Sequence, residues 1–283
     1  MQFKIMKKGI LYIVATPIGN MDDITLRALD VLRNVNWVVA EDTRVTRNLL
    51  DRHGIPAKKM LHYNDYSSER EHRRIVDIIS EGQDVALVSD AGTPLISDPG
   101  YKLIMEVIKN HIEIKSVPGA CSLILAVTLA GLPTDKVLFY GFLSSNANKR
   151  KQELAKIQAL NTTLVFFESA RRLLDMLKDA QRVLGNRKIA VTRELTKVYE
   201  EVRRGSIGEL LEYYSNVGVK GELVIVIEGN GVDETANIND DTIVQILVIL
   251  IKNKNYSVKD AVQEICSIYN LPKNRVYKLA IHL

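Results

Sequence analysis

The chain has 283 residues, 46% of them hydrophobic, with 38 Lys and Arg against 34 Asp and Glu. That is room for two α/β domains and an appendage, and the composition excludes a disordered or collagen-like bulk. The net charge of +4 sits entirely in residues 252–283, where Lys252, Lys254, Lys259, Lys273, Arg275 and Lys278 face only Asp260 and Glu264. A neutral body with a basic tail suits an anionic partner such as nucleic acid, or simply a solvated helix face.

In chain order, residues 10–15 are a continuous apolar run that predicts a buried parallel strand ending at Thr16-Pro17-Ile18-Gly19-Asn20. The run is too short for the core of a signal peptide. Asp22 or Asp23 is the expected cap of a helix with Leu26, Leu29 and Leu32 on its apolar face. Val38-Val39-Ala40 predicts a second strand, ending at Glu41-Asp42-Thr43-Arg44. Ser68 and Glu71 have capping-box spacing before a helix carrying Ile75, Ile78 and Ile79. Residues 84–89 predict a third strand, followed by Asp90-Ala91-Gly92-Thr93-Pro94, and Pro99 fits the first turn of the next helix. Residues 112–117 add a strand, after which Pro118-Gly119-Ala120 leads into an apolar helix over 121–132.

Beyond Gly131-Leu132-Pro133 a second α/β series begins, with strands expected over 137–143, 163–167, 188–192 and 223–227 and helices near 149–160, 170–184 and 206–215. Residues 228–241 read as a linker. From Thr242 the chain reads as helical: Ser257 caps a helix running to Tyr269, and Asn270-Leu271-Pro272 turns into another at Lys273, the spacing of a helix-turn-helix. The expected plan is an extension (1–8), two α/β domains (9–133 and 134–229), a linker (230–241) and a basic helical extension (242–283). With no run of 18 apolar residues, and with Cys121 and Cys266 outside any CxxC spacing, the expectation is a cytoplasmic protein that does not span a membrane.

In an open parallel sheet, ligands bind beyond the carboxyl ends of the strands. Four such ends carry small, turn-forming or polar clusters: 16–20, 41–44, 89–100 and 118–122. Glycine and proline there let backbone approach a ligand, so these loops are the expected crevice. No G-x-G-x-x-G, P-loop or G-x-S-x-G is present, and His53, His62, His72, His111 and His282 lack metal spacing. Dinucleotide, nucleotide-phosphate, serine-nucleophile and metal chemistry are therefore not indicated.

Ala15-Thr16-Pro17-Ile18-Gly19-Asn20, the run from Asp23 to Leu29, and Ala40-Glu41-Asp42-Thr43-Arg44 resemble the bacterial small-subunit ribosomal RNA cytidine 2′-O-methyltransferases, of the tetrapyrrole-methylase superfamily. The resemblance continues through residues 89–100, Pro118-Gly119-Ala120, Phe166-Phe167-Glu168-Ser169 with Arg171-Arg172, Arg193-Glu194-Leu195-Thr196-Lys197 with Tyr199-Glu200-Glu201, and Gly221-Glu222-Leu223. It spans about residues 9–229 in order, and the basic tail resembles the family's helical extension.

The resemblance implies two α/β domains with S-adenosylmethionine folded in the cleft between them. Carried onto this chain, the donor lies against Pro17, Gly92, Thr93, Pro94, Ile96, Asp98, Cys121, Ser122, Phe166, Phe167 and Glu168. Phe166 and Phe167 are consecutive on a strand, so one faces the cleft and the other a core. A ribose hydroxyl is a weak nucleophile, so a base or an alkoxide-stabilising cation is expected; Asp42, Arg44, Arg193, Glu194 and Lys197 are the candidates, with Glu168 a further carboxylate. Lys149, Arg150, Lys151, Arg171, Arg172, Arg203, Arg204, Lys273, Arg275 and Lys278 are the expected RNA contacts, and Tyr63 and Tyr66 could stack on a base. The resemblance also implies small-subunit ribosomal RNA or the 30S subunit as partner, and a homodimer. The competing readings are a methylase acting on a corrin or sirohydrochlorin precursor and a non-catalytic RNA-binding assembly factor.

Overall fold

Ten strands among the described residues pair into two five-stranded sheets. The computed structural model describes residues 7–231, 239–253, 256–269, 271–281 and 283. The linker reading at 232–238 and most of the extension reading at 1–8 lie outside them.

The first sheet holds β1 (Ile10–Val14), β2 (Trp37–Ala40), β3 (Lys59–His62), β4 (Val85–Val88) and β5 (Glu113–Val117) in the order β3-β2-β4-β1-β5, every pair parallel. Helices cover both faces, so the central strands β1, β2 and β4 are apolar on both sides, while the edge strands β3 and β5 keep exposed Lys59, His62, Glu113 and Lys115. Ala86 and Val88 pack with α1 (Leu26–Asn34) and α2 (Thr43–Arg52). Val85 and Leu87 pack with α3 (Glu69–Ser80) and α4 (Tyr101–Lys109). The chain leaves β1 and β4 toward opposite edges of the sheet, so a switch point falls between these two neighbours and the crevice opens at their carboxyl ends.

Local signals are met with two corrections. The Ser68–Glu71 capping box forms in both directions. Helix α1 is capped by Thr25, whose hydroxyl accepts from Ala28 N, while Asp22 and Asp23 lie in a preceding 3-10 turn capped by Asn20. Pro99 precedes the next helix instead of entering it; Gly100, at φ 140°, is the N-cap of α4. The reading also omitted α2 and β3.

After β5 comes α5 (Ser122–Ala130), closed by Gly131 in the left-handed region at φ 70°. Then follow β6 (Val137–Phe142), α6 (Ala147–Ile157), β7 (Thr163–Ser169), α7 (Leu173–Leu184), β8 (Lys188–Arg193), β9 (Glu201–Ser206), α8 (Ile207–Val217) and β10 (Glu222–Ile227). The second sheet runs β6-β7-β10-β8-β9 and is mixed: β6 and β7 are parallel and the remaining pairs antiparallel. β9 was not expected. One face of this sheet packs on α6, α7 and α8 through Leu164, Phe166, Ile189, Ile225 and their partners. The opposite face, with Val165, Ala190, Val224 and Val226, packs on Ala126, Val127 and Ala130 of α5. A separate apolar cluster joins α9 (Asp240–Val248), α10 (Val258–Tyr269) and α11 (Lys273–Ala280) through Ile243, Leu247, Val262, Ile265 and Val276. Among the described residues no helix is long and apolar enough to cross a membrane.

Arg150 of α6 is buried, not an RNA contact: its guanidinium holds Asp179 of α7 at 2.8 Å (Nε) and 2.7 Å (Nη2) and donates to the Ser144 carbonyl at 3.3 Å. Removing the carboxylate strands a buried cation. Asp179→Ala should therefore lose about 3–5 kcal/mol in urea unfolding. The exposed neighbour change Lys149→Ala should stay within about 0.5 kcal/mol of the parent.

Candidate functional site

A cavity of about 430 Å³ opens between the sheets, within the range of small-molecule sites. From the first sheet it is lined by Ile18, Glu41 and residues 90–93 and 96–98, and from the start of α5 by Cys121 and Ser122. From the second it takes Phe142, residues 167–169, Thr192, Leu195, Lys197 and residues 221–224.

Backbone and side-chain bonds tie the strand-end loops together. Thr16 and Gly92 exchange backbone hydrogen bonds of 2.9 and 3.0 Å, the Thr93 hydroxyl donates to the Ala120 carbonyl at 3.1 Å, and Asp42 N donates to Asp90 Oδ1 at 2.9 Å. Gly119 passes so close to β1 that a Cβ would lie 2.9 Å from that of Ala15. The loop after β8 meets the loop after β1: Asn20 N donates to Thr196 Oγ1 at 3.1 Å, and a Cβ on Gly19 would come within 2.4 Å of Lys197 Cγ and 3.2 Å of the Leu195 carbonyl oxygen.

Of the expected donor-site residues, Gly92, Thr93, Ile96, Asp98, Cys121, Ser122, Phe167 and Glu168 line the cavity. Pro17 and Pro94 do not; Pro17 faces a pocket of about 30 Å³ beside Met21, Val45 and Leu49. Alternation along β7 sends Phe166 into the core on the far side of the sheet, fully buried, while Phe167 meets Phe139 edge-on at 4.9 Å and Phe142 at 5.6 Å.

Of the expected catalytic residues only Lys197 lines the cavity. Asp42 is the N-cap of α2, accepting from Arg44 N, and its carboxylate is clamped by the Arg44 guanidinium at 2.6–3.2 Å. Those bonds lower its pKa to about 2, so it is a poor proton acceptor. Arg193 is spent on the Lys220 carbonyl and on Glu201. Glu194 Oε1 takes Glu222 N and Lys197 Nζ, at 2.9 and 3.1 Å. The Glu222 amide, then Lys197, hold its carboxyl below the usual range. Burial by itself would lower the Lys197 ammonium, but Glu222 and Glu194 outweigh it and raise it.

The acidic residues lining the cavity are Glu41, Asp90, Asp98, Glu168 and Glu222. The Glu168 side chain, however, shares the Phe166 face of β7 and is buried against Arg172, and Glu222 is paired with Lys197, the one lining cation among the described residues. Glu41 is pushed upward by burial and then by Asp90 and Asp98; Asp98 by burial, with Asp90 and Asp65 adding to it. Glu168 is buried, and desolvation raises it despite the Ser169 amide and Arg172. Its Oε1 is 2.8 Å from Ser169 N and 3.2 Å from Arg172 Nε, while Oε2 has no partner among the described residues. Glu41 and Asp90 lie in loops expected to form the crevice but are not among the residues singled out there, and Phe142, Thr192 and Glu222 are unexpected. Glu41 adjoins Asp42 in the motif already singled out, and only knowing where β2 stops and α2 is capped separates the two.

The cations divide likewise. Lys149, Arg171, Arg204, Lys273 and Lys278 are exposed, and Lys151 and Arg203 half-buried. Arg172 turns inward to the Leu143 carbonyl and Glu168, and is not a free phosphate contact. Arg275 pairs with Asp240 at 2.8 Å. Tyr66 is fully exposed, but Tyr63 is buried with its hydroxyl 3.2 Å from His72 Nε2 and cannot stack on a base. Among the described residues no three His, Cys, Asp or Glu side chains are grouped to hold a metal ion.

An all-parallel sheet and a mixed one enclosing a cavity at their facing ends define a class, and the chain belongs to the tetrapyrrole (corrin/porphyrin) methylases, whose family model matches residues 10–211. Within that class it is similar along nearly its whole length to proteins named ribosomal RNA small subunit methyltransferase I. Identity is 44% over 259 residues with that of Rickettsia prowazekii, covering 92% of this chain and 90% of the relative. With that of Escherichia coli O157:H7 it is 39% over 277 residues, covering 97% and 95%. Among solved structures, a cobalt precorrin-4 methyltransferase superposes with a TM-score of 0.60 at 19% identity over 77% of this chain and 94% of that one. The Thermus thermophilus uroporphyrin-III C-methyltransferase complexed with S-adenosylhomocysteine gives 0.56 at 18% identity, over 78% and 98%. These structural likenesses concern the fold.

The contact of Gly19 with the 194–197 loop is testable. Gly19→Ala should cost about 1–3 kcal/mol by overpacking and speed amide exchange across 194–200. An unchanged exchange pattern there would mean that the two loops are not braced on each other.

Proposed function

We propose that the chain transfers a methyl group from S-adenosylmethionine to the 2′-hydroxyl of a cytidine ribose in small-subunit ribosomal RNA, with the assembled 30S subunit as substrate. The observation that carries this reading is the charge of the cavity wall: the Glu41, Asp90 and Asp98 carboxylates, against one cation, Lys197, that is already paired with Glu194 and Glu222. Such a wall suits a cationic sulfonium donor and the uncharged hydroxyl of a nucleotide. It opposes a tetrapyrrole precursor, whose many carboxylates would meet like charges. The relatives' name supports the same choice, and the solved complex with S-adenosylhomocysteine supports the donor.

The residues present fit such a donor. The Glu41, Asp90 and Asp98 carboxylates on the wall can accept from the donor's amine and hydroxyl groups. Cys121 caps α5 without a side-chain hydrogen bond, leaving the first amides of that helix to a carboxylate. The backbone at Gly92, Thr93 and Asp98, and the Phe167 ring, form the remaining wall.

When bound, S-adenosylmethionine supplies a methyl group made electrophilic by its positive sulfur. The protein then aligns the hydroxyl in line with it and takes up the proton. Glu41 is the candidate for the proton: it lines the cavity, and burial with Asp90 and Asp98 beside it makes it more basic than an ordinary carboxylate. Asp42, Arg44, Arg193, Glu194 and Lys197 act as positioning residues through the loops they brace. Exposed Lys149, Arg171, Lys273 and Lys278, with Lys151, hold the RNA backbone. The units that carry these roles are residues 9–133, 134–229 and 242–283, in a cytoplasmic homodimer.

Two outcomes are expected. With methyl-labelled donor, unmethylated small subunits should take up label that survives base removal and maps to one cytidine ribose; label confined to a sirohydrochlorin precursor would overturn the acceptor. Donor affinity should also depend on pH. A cation is favoured by ionised carboxylates, and Glu41 and Asp98 on the wall titrate above their ordinary values of 4.5 and 3.8. Calorimetry from about pH 8 to about pH 5 should therefore show S-adenosylmethionine weakening as protons are added. S-adenosylhomocysteine, neutral at sulfur, should weaken less, and equal slopes would remove the electrostatic argument.

A further inference from the structure

The loop joining β8 to β9 ends in a tight turn: Glu200 N donates to the Lys197 carbonyl at 3.1 Å, which puts Val198 and Tyr199 at its two corners. Turn corners favour Gly, Asn, Asp or Pro, and a β-branched residue followed by a bulky aromatic is an unfavourable local choice. Packing does not compensate for it, because Val198 is 94% exposed and Tyr199 71%.

The turn is nevertheless held rigidly. Leu195 is buried under it, Lys197 is bonded to Glu194 and Glu222, Thr196 N is bonded to the Glu200 carboxylate, and Glu194 and Thr196 adopt φ of 48° and 65°. Lys197, next to the corner, lines the cavity. A rigid turn that presents two bare apolar side chains beside a reaction cavity is built to be touched from outside.

The first sheet has a counterpart. Ser67 N donates to the Asn64 carbonyl at 3.0 Å, closing a turn with Tyr66 at a corner, 95% exposed. The neighbouring Asp65 carboxylate is close enough for its field to reach Glu41 and Asp98, both on the cavity wall.

Resting on the reading that the acceptor is RNA, we propose that Tyr199, flanked by Val198, is a nucleobase-stacking tip beside the cavity, with Tyr66 as the corresponding tip on the first-sheet side. Every base offers a π-face, so such tips grip a single-stranded segment without reading its sequence. They are also uncharged, which matters beside a wall of carboxylates that would repel a phosphate-first approach.

The test is steady-state methyl transfer to unmethylated small subunits by the full chain and by Tyr199→Ala, Tyr199→Phe and Tyr66→Ala, with donor affinity and sedimentation measured for each. Tyr199→Ala should raise KM for the subunit about ten-fold, leave kcat and donor affinity near those of the parent, and be rescued by Tyr199→Phe. Tyr66→Ala should act in the same direction. An unchanged KM would overturn the proposal. So would an equal loss of donor affinity, which would mark the turn as part of the donor site, or a change in sedimentation, which would assign the tip to a second copy of this chain. A parent protein that methylates no RNA would sink the RNA reading and this proposal with it, whereas an active parent with an indifferent Tyr199→Ala sinks this proposal alone.

Discussion

The structure turns on α5, a helix with no polar face. Its sequence, Ser-Leu-Ile-Leu-Ala-Val-Thr-Leu-Ala, is apolar nearly all round; Ile124 and Thr128 stay exposed, while Ala126, Val127 and Ala130 are buried. It follows β5 directly and so belongs by connection to the first sheet, yet the apolar partners of Ala126, Val127 and Ala130 are on β7, β8 and β10 of the second. The small alanines let that sheet come close, and burial of this face couples the halves in a way no surface ion pair could match. Both helix ends are used. Arg204 of β9 donates from Nε to the Leu129 carbonyl at 3.0 Å, satisfying a terminal acceptor, while Cys121 and Ser122 open into the cavity. The cavity exists where it does because one helix spans both layers.

The second organising fact is how the charges are spent. The chain's cationic motif, Arg193 to Lys197, looks like a reactive cluster, but its guanidinium and ammonium groups are committed to Lys220, Glu201, Glu194 and Glu222. Arg44 is committed to Asp42 and Arg172 to Glu168. Each of these pairs shapes a loop at the cavity edge, and what is left facing inward is acidic. Positive charge free for phosphate lies instead on exposed side chains such as Lys149, Arg171, Lys273 and Lys278. Separating the two signs in this way suits a cationic ligand inside and a polyanion outside.

Much of this was legible in the sequence because parallel β/α structure writes itself plainly: apolar runs end in Gly- and Pro-rich clusters, and those clusters are the crevice. The Phe166–Phe167 alternation and the Ser68–Glu71 box follow from geometry that needs no tertiary information. What escaped needed tertiary information. Strand β9, Glu-Val-Arg-Arg-Gly-Ser, is polar enough to read as a loop and is a strand only because β8 pairs with it. Arg150 sits in a run of three cations, and only the position of α7 distinguishes the one that meets Asp179 from its exposed neighbour Lys149. Glu41 and Asp42 are adjacent and chemically alike. Where the backbone turns from β2 into α2 sends one into the cavity and makes the other a cap.

Backbone strain ends up concentrated around the same cavity. Of the five non-glycine residues with positive φ among those described, Leu95, Ser97, Glu194 and Thr196 lie in the two loops that form its walls; His111 is the exception. Such conformations cost of order 1–3 kcal/mol each and persist only when the surroundings over-determine them. Here they do. A Cβ on Gly100 would lie 3.1 Å from a Leu95 methyl, Glu194 is pinned by Glu222 N and Lys197, and Thr196 by Asn20 and Glu200. Loops free to relax would surrender that strain by opening the cavity. The bracing bonds run from one sheet to the other, as Asn20 N to Thr196 Oγ1 does, which is the arrangement that keeps the ordering cost of a binding wall low.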